Sequence, residues 1–163
     1  MALTIREASI ADRAAIWEIL KPVFRSGESY TINPDISRED ALDYWLAPLH
    51  RTLVAEDQGK ILGTYYIRRN QGGGGGHVCN CGYVTDSAAQ GRGVARSMLE
   101  HSLETAIEMG FRAMQYNFVV ATNDRAIAIW ESYGFDVVGR LPQAFEHPRQ
   151  GFVDALIMYK HLQ

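Results

Sequence analysis

The chain has 163 residues, 47% hydrophobic and 21% charged, with a formal net charge of -3. That supplies one core and gives no reason for two, so a single domain over 1–163 is expected. The acidic balance gives no footprint for nucleic acid, and no apolar run approaches the ~20 residues of a membrane span or forms a signal-peptide core, so a cytoplasmic protein off the membrane is expected.

Thr4 to Ala8 reads as a first strand, and Ser9 is placed to cap a helix running through Trp17, Ile19 and Leu20 to about Phe24. The polar and aromatic stretch Ser26 to Pro34 follows, in which Glu28 to Asn33 is a candidate wall or lid with nothing to orient it. Ser37 and Asp40 make a capping-box-like start for a second helix through Leu42, Trp45 and Leu46. Thr52 to Glu56 and Ile61 to Arg68 form a hairpin across Asp57-Gln58-Gly59-Lys60. Five consecutive glycines, 72 to 76, cannot pack a core; they read as a flexible connector, a slack loop rather than a hinge.

His77 to Thr85 is the next strand. Its cysteines, Cys79 and Cys81, are two apart and face one side, so they cannot form a relaxed disulfide, and without a second Cys pair they make a poor zinc site. Both read as buried thiols, and no metal is expected. Gln90-Gly91-Arg92-Gly93-Val94-Ala95 then opens a helix patterned by Val94/Ala95, Met98/Leu99, Leu103 and Ala106/Ile107, with Gly110 as its C-cap. A glycine-rich turn at a helix start offers backbone N–H groups and a positive dipole end to an anion, which points to a phosphorylated cofactor. The chain lacks the Gly-Lys-Ser/Thr of a Walker loop, and Arg96 fills the third glycine position of the dinucleotide fingerprint. Ala113 to Val120 is a further strand, completing a strand–loop–helix–strand unit whose strands run parallel.

Asn80 and Asn117 each interrupt one of those strands. A buried amide without partners costs ~1–3 kcal/mol, so the two either form a network between the strands or line a polar pocket where the strands diverge. Asn123 precedes the next helix at an N-cap position.

The pattern Gln90-x-x-Gly93-x-Ala95 after a strand resembles the cofactor motif of the Gcn5-related N-acetyltransferase (GNAT) superfamily. The resemblance extends to Asn123, Ala126, Ile129, Trp130, Glu131, Gly134 and Phe135, which are similar to that superfamily's later helix and strand. It implies a mixed α/β sheet of about six or seven strands flanked by about four helices, with a splayed parallel pair at the cofactor site. It further implies acetyl-CoA as co-substrate, held by Tyr83, Val84, Gln90, Gly91, Arg92, Gly93, Val94, Ala95, Arg96, Asn123 and Trp130, and a homodimer. The Val84 backbone, with Tyr83 beside it, is the implied oxyanion contact. More narrowly, His77 to Val84, Tyr116 to Asn123, Gly139 to Pro142 and Asp154 to Tyr159 resemble the branch that acetylates L-azetidine-2-carboxylate and related proline-type imino acids. In that branch asparagines matching Asn80 and Asn117 bind the acceptor.

Trp130 departs from the pattern, because many relatives carry there a tyrosine that protonates the leaving thiolate, and indole cannot. Tyr133 is the nearest phenol in sequence, and its place beside Gly134-Phe135 reads as core-facing. A thiol of pKa ~8.5 leaves as thiolate at a cost of ~2 kcal/mol at pH 7, so the acid is dispensable. Acetylation of another amine (a protein N-terminus, a polyamine, an antibiotic-like amine) and a CoA-binding module without catalysis are the alternatives.

Overall fold

The computed structural model describes residues 2–162. Strands β1 (Thr4–Glu7), β2 (Arg51–Asp57), β3 (Lys60–Arg69), β4 (Val78–Thr85), β5 (Ala113–Val120), β6 (Asp136–His147) and β7 (Gly151–His161) form one sheet of order β1-β2-β3-β4-β5-β7-β6. All neighbours are antiparallel except β4 and β5. Helices α1 (Arg13–Ser26) and α2 (Arg38–Trp45) cover one face. Helices α3 (Val94–Glu108) and α4 (Asp124–Ser132) cover the other. Seven strands and four helices with one parallel pair are the architecture expected from the sequence.

The faces divide by strand alternation. Tyr65, Ile67, Cys79 and Cys81 point to the α3 side, where Val94, Met98 and Leu99 supply the helix stripe. Val54, Tyr66 and Val84 point to the α1/α2 side and meet Ile16, Leu20, Phe24 and Trp45. Both cysteines are buried and free. Asp40 N–H donates to Ser37 Oγ at 3.0 Å, so the second helix starts as the sequence predicts.

Two local expectations change. Ser9 opens a 3₁₀ turn, Ile10–Asp12, before α1 begins at Arg13, because Asp12 turns back to accept from Ser9 N–H at 2.7 Å while its other oxygen pairs with Arg6. The glycine run is an ordered turn rather than a slack connector: Gly75 N–H donates to Gly72 O at 2.9 Å and Gly76 N–H to Gly73 O at 3.0 Å. Short 3₁₀ bonds satisfy the backbone where there are no side chains to do so.

Only Val78↔Ala113 and Cys79↔Met114 pair β4 with β5. Past them the strands separate. The register of β5 on β7 slips between Tyr116 and Val119, so Asn117 lies in a bulge that bends β5 away from β4. The result is a wedge-shaped gap inside the sheet.

Candidate active site

The wedge opens into a cavity of about 360 Å³. Asp86 N–H donates to Leu62 O and Asn70 N–H to Val78 O, both in phase with the β3–β4 register. That alternation turns the backbone groups of Asn80, Gly82 and Val84 toward β3, and those of Cys81, Tyr83 and Thr85 into the wedge. The free amide expected at Val84 therefore falls at Tyr83, one residue earlier, because the Val84 amide belongs to the β3 ladder. The Tyr83 carbonyl is likewise outside the ladder, and Tyr30 Oη donates to it at 2.8 Å. This bond orients the segment that the sequence left without a direction, and makes Tyr30 a wall of the cavity.

At the open end of β4, Gly91 and Gly93 take φ of 81° and 82°, a left-handed geometry that glycine adopts without strain. A Cβ on either would meet nothing within 4 Å, so open space lies before the loop. Ser97 N–H is the first α3 donor with an intrahelical acceptor, Gly93 O, which leaves the Val94, Ala95 and Arg96 amides for an external anion. These residues fit a diphosphate. The Val94 side chain is buried beneath α3, whereas Gln90, Gly91, Arg92 and Gly93 are exposed. Arg92 lies 3.9 Å from Asp57, and the Arg96 guanidinium lies over the Tyr133 ring at 5.9 Å.

The cavity gathers Asn80, Tyr83, Val84, Ala95, Asn117, Asn123 and Trp130 from the residues singled out in the sequence. Asn80 Nδ2 donates to Gln115 O at 2.9 Å, spanning the wedge at the first step after the strands part. Asn117 Nδ2 donates to Asn70 Oδ1 at 2.6 Å, and Asn117 Oδ1 accepts from Gln115 Nε2 at 3.0 Å. The two asparagines thus do both things the sequence allowed: they tie strands together and face the cavity. Asn123 precedes α4 but makes no side-chain cap bond, leaving its amide in the cavity wall.

Sequence reasoning missed Arg68, Tyr44, Tyr66 and Tyr116. Arg68 sits on β3 directly across from Asn80 and, among the described residues, is the single charged side chain in the lining. Tyr44 Oη and Tyr66 Oη lie 3.0 Å apart on the α2 side, and Tyr116 packs between Phe135 at 4.6 Å and Trp130 at 4.5 Å. The period-2 phase of β3 places Tyr66 and Arg68 on one face, and that was the available signal.

Ser102 Oγ donates to Leu99 O at 2.7 Å, and that carbonyl can only accept. Ser102 therefore accepts from Tyr83 Oη at 2.7 Å, and Tyr83 Oη in turn accepts from Tyr116 at 3.0 Å. The Tyr116 proton is committed inward. Burial pushes both hydroxyls well above the ordinary phenol range, so neither ionises near neutrality. Tyr133 is half-buried and outside the cavity lining; its ring packs against the core, as expected, and its hydroxyl donates to Glu100 at 2.7 Å. Tyr133→Phe should accordingly keep kcat within about twofold, since the hydroxyl meets nothing reactive. A loss of a hundredfold in a folded variant, read by steady-state kinetics, would make it the missing acid.

Among the described residues no three His, Cys, Asp or Glu side chains gather as a metal site. No described helix is long and apolar enough to cross a membrane.

Similarity to known proteins agrees with this geometry. N-acetyltransferase aca1 of Schizosaccharomyces pombe is 28% identical over 152 residues, covering 83% of this chain and 73% of its own. A GCN5-related N-acetyltransferase from Kribbella flavida superposes with a TM-score of 0.94 at 38% identity, over 99% of this chain and 98% of that one. The yncA protein of Salmonella typhimurium, solved with its cofactor acetyl-CoA, superposes with a TM-score of 0.85 at 24% identity, over 100% and 95%, a likeness of fold. The model of the acetyltransferase (GNAT) family matches residues 13–135, from the start of α1 through the glycine loop and α4 to the residue before β6, and the chain belongs to that family.

Proposed function

We propose that this acetyltransferase moves acetyl from acetyl-CoA to the amine of a small imino or amino acid of the L-azetidine-2-carboxylate type. The observation that carries the reading is the continuity of one cavity from the wedge amides to the amide-lined floor at Asn80 and Asn117. Pyrophosphate at the Gly91–Gly93 turn leaves the thioester to run down the wedge between β4 and β5. The Tyr83 N–H then meets the oxygen on which negative charge develops. The acceptor nitrogen attacks the carbonyl carbon, the C–N bond forms, and the tetrahedral intermediate collapses with loss of CoA as thiolate.

Among the described residues the cavity lining contains no Asp, Glu or His. The amine proton therefore passes to water, and rate rests on orientation and on the backbone oxyanion donor. A wall without carboxylates also disfavours a polyamine, whose cations have nothing to pair with.

A CoA-release assay over cyclic imino acids, linear amino acids, polyamines and a peptide N-terminus tests the reading. The highest kcat/KM is expected for the cyclic imino acids. Turnover confined to polyamines or peptides overturns it, and acetyl-CoA binding without turnover on any of them makes the chain a binding module. The proposal includes a cytoplasmic homodimer acting on small molecules, with neither nucleic acid nor membrane as partner. Val138 and Phe152, exposed at 60% and 63% on the outer strands, offer apolar surface for the dimer contact.

A further inference from the structure

Arg68 is half-buried and lines the cavity, yet it has no acidic partner among the described residues. Its one side-chain hydrogen bond is a long one, Nη1 to Arg69 O at 3.4 Å. Holding a guanidinium half-buried in the cavity that Tyr44 and Tyr66 also line, without a counter-charge, forfeits hydration and gains little in return. Its charge is felt nearby: burial pushes the Tyr66 hydroxyl well above the usual phenol range and the Arg68 charge opposes this only in small part, while burial lowers the His50 ring and the same charge adds to that.

The diphosphate cannot be its partner. Asn80, directly across from Arg68, lies five strand positions before Thr85, about 17 Å along β4 from the end that carries the glycine loop. The side of the sheet differs as well, since Arg68 shares the α1/α2 face with Tyr66, whereas the loop opens α3 on the other. An anion that reaches Arg68 belongs to the acceptor.

We propose that Arg68 is the specificity-determining residue that binds the acceptor's α-carboxylate, with Asn80 Oδ1 receiving the adjacent amine N–H. A planar guanidinium takes a carboxylate through two parallel hydrogen bonds. In an α-amino or α-imino acid the nitrogen is one carbon away from that carboxylate, which places it at the neighbouring cross-strand residue, Asn80. Asn80 must turn its nitrogen to the Gln115 carbonyl, because a carbonyl only accepts. Its Oδ1 is thereby left open as the acceptor an amine requires. The pair reads both ends of a zwitterion, and it rejects amines that lack the acid. This rests on the acetyltransferase reading proposed above and narrows its substrate to carboxylate-bearing amines.

The test compares L-azetidine-2-carboxylate with its carboxamide in wild type, Arg68→Met and Arg68→Lys. Wild type should prefer the acid by about thirtyfold in kcat/KM, from charge-assisted bonds that the amide cannot make. Arg68→Met should erase the preference, Arg68→Lys should restore part of it, and the KM for acetyl-CoA should stay within about twofold in both. An acid-to-amide ratio unchanged in Arg68→Met overturns the assignment while leaving the acetyltransferase reading intact. Calorimetric titration of the same two compounds into the CoA-saturated protein separates the failures. Acid-selective binding that Arg68→Met abolishes, without turnover, sustains Arg68 and sinks the proposed acceptor; absence of binding and of turnover for both compounds sinks both.

Discussion

Gly93→Asp should weaken acetyl-CoA binding by at least about a hundredfold, roughly 3 kcal/mol, with a far smaller loss in fold stability. Residue 93 is the N-cap of α3 at φ 82° and ψ 7°, with open space where a Cβ would stand. Aspartate visits that backbone region at modest cost, so the fold survives. Its carboxylate, however, would occupy the field that the Val94, Ala95 and Arg96 amides turn toward a diphosphate, and like charges at such range repel strongly. Gly93→Asn carries the same backbone strain and nearly the same volume without the charge, and should bind within about tenfold of wild type. Isothermal titration of acetyl-CoA into both variants reads the difference. Equal losses would assign the effect to shape, and unchanged affinity in both would remove the loop from the site.

Asn80→Ala should lower kcat/KM for the imino acid by about 1–3 kcal/mol, while the KM for acetyl-CoA moves little. The substitution deletes two things at once, the Nδ2 bond to Gln115 O that spans the wedge and the Oδ1 that faces the acceptor. The first loss appears as a lower melting temperature, the second as a raised acceptor KM. A variant that melts earlier but keeps wild-type kcat/KM at a temperature where it is folded would make Asn80 a strand tie alone. Asn117→Ala gives a contrast, because both ends of its amide already have protein partners, Asn70 and Gln115. Its penalty should fall more on stability than on acceptor recognition.

Local rules made the α3 unit readable. Gly91, Gly93, the Val94–Leu99–Ala106 stripe and Gly110 are signals within a few turns of one another, and the strand–loop–helix–strand unit followed from them. Asn80 and Asn117 were conspicuous as amides inside apolar strands. What escaped depended on partners distant in sequence. The amide facing the wedge is Tyr83 rather than Val84 because the phase of β4 is set by β3, and a one-residue change of phase reverses every backbone group. In sequence Arg68 is simply the last residue of the hairpin strand, and only β4 places Asn80 across from it. Ser9 looked like the cap of α1 but opens a 3₁₀ turn instead, because Asp12 folds back onto the Ser9 N–H while Arg6 from β1 holds its carboxylate. The insertion of β7 between β5 and β6 left no local mark at all.

A sheet joined at its middle by two residue pairs carries two interior edges, one along Cys81–Thr85 and one along the β5 bulge. Unpaired strand edges ordinarily recruit other chains and seed aggregation. Here the hazard is contained by shape, because the gap narrows from full width to direct pairing, and a foreign strand needs about 4.7–4.9 Å on each side along its whole length. A slender, amide-bearing thread can follow such a taper where a polypeptide with side chains cannot. The same narrowing that protects the fold from its own kind therefore acts as a gauge for what is admitted.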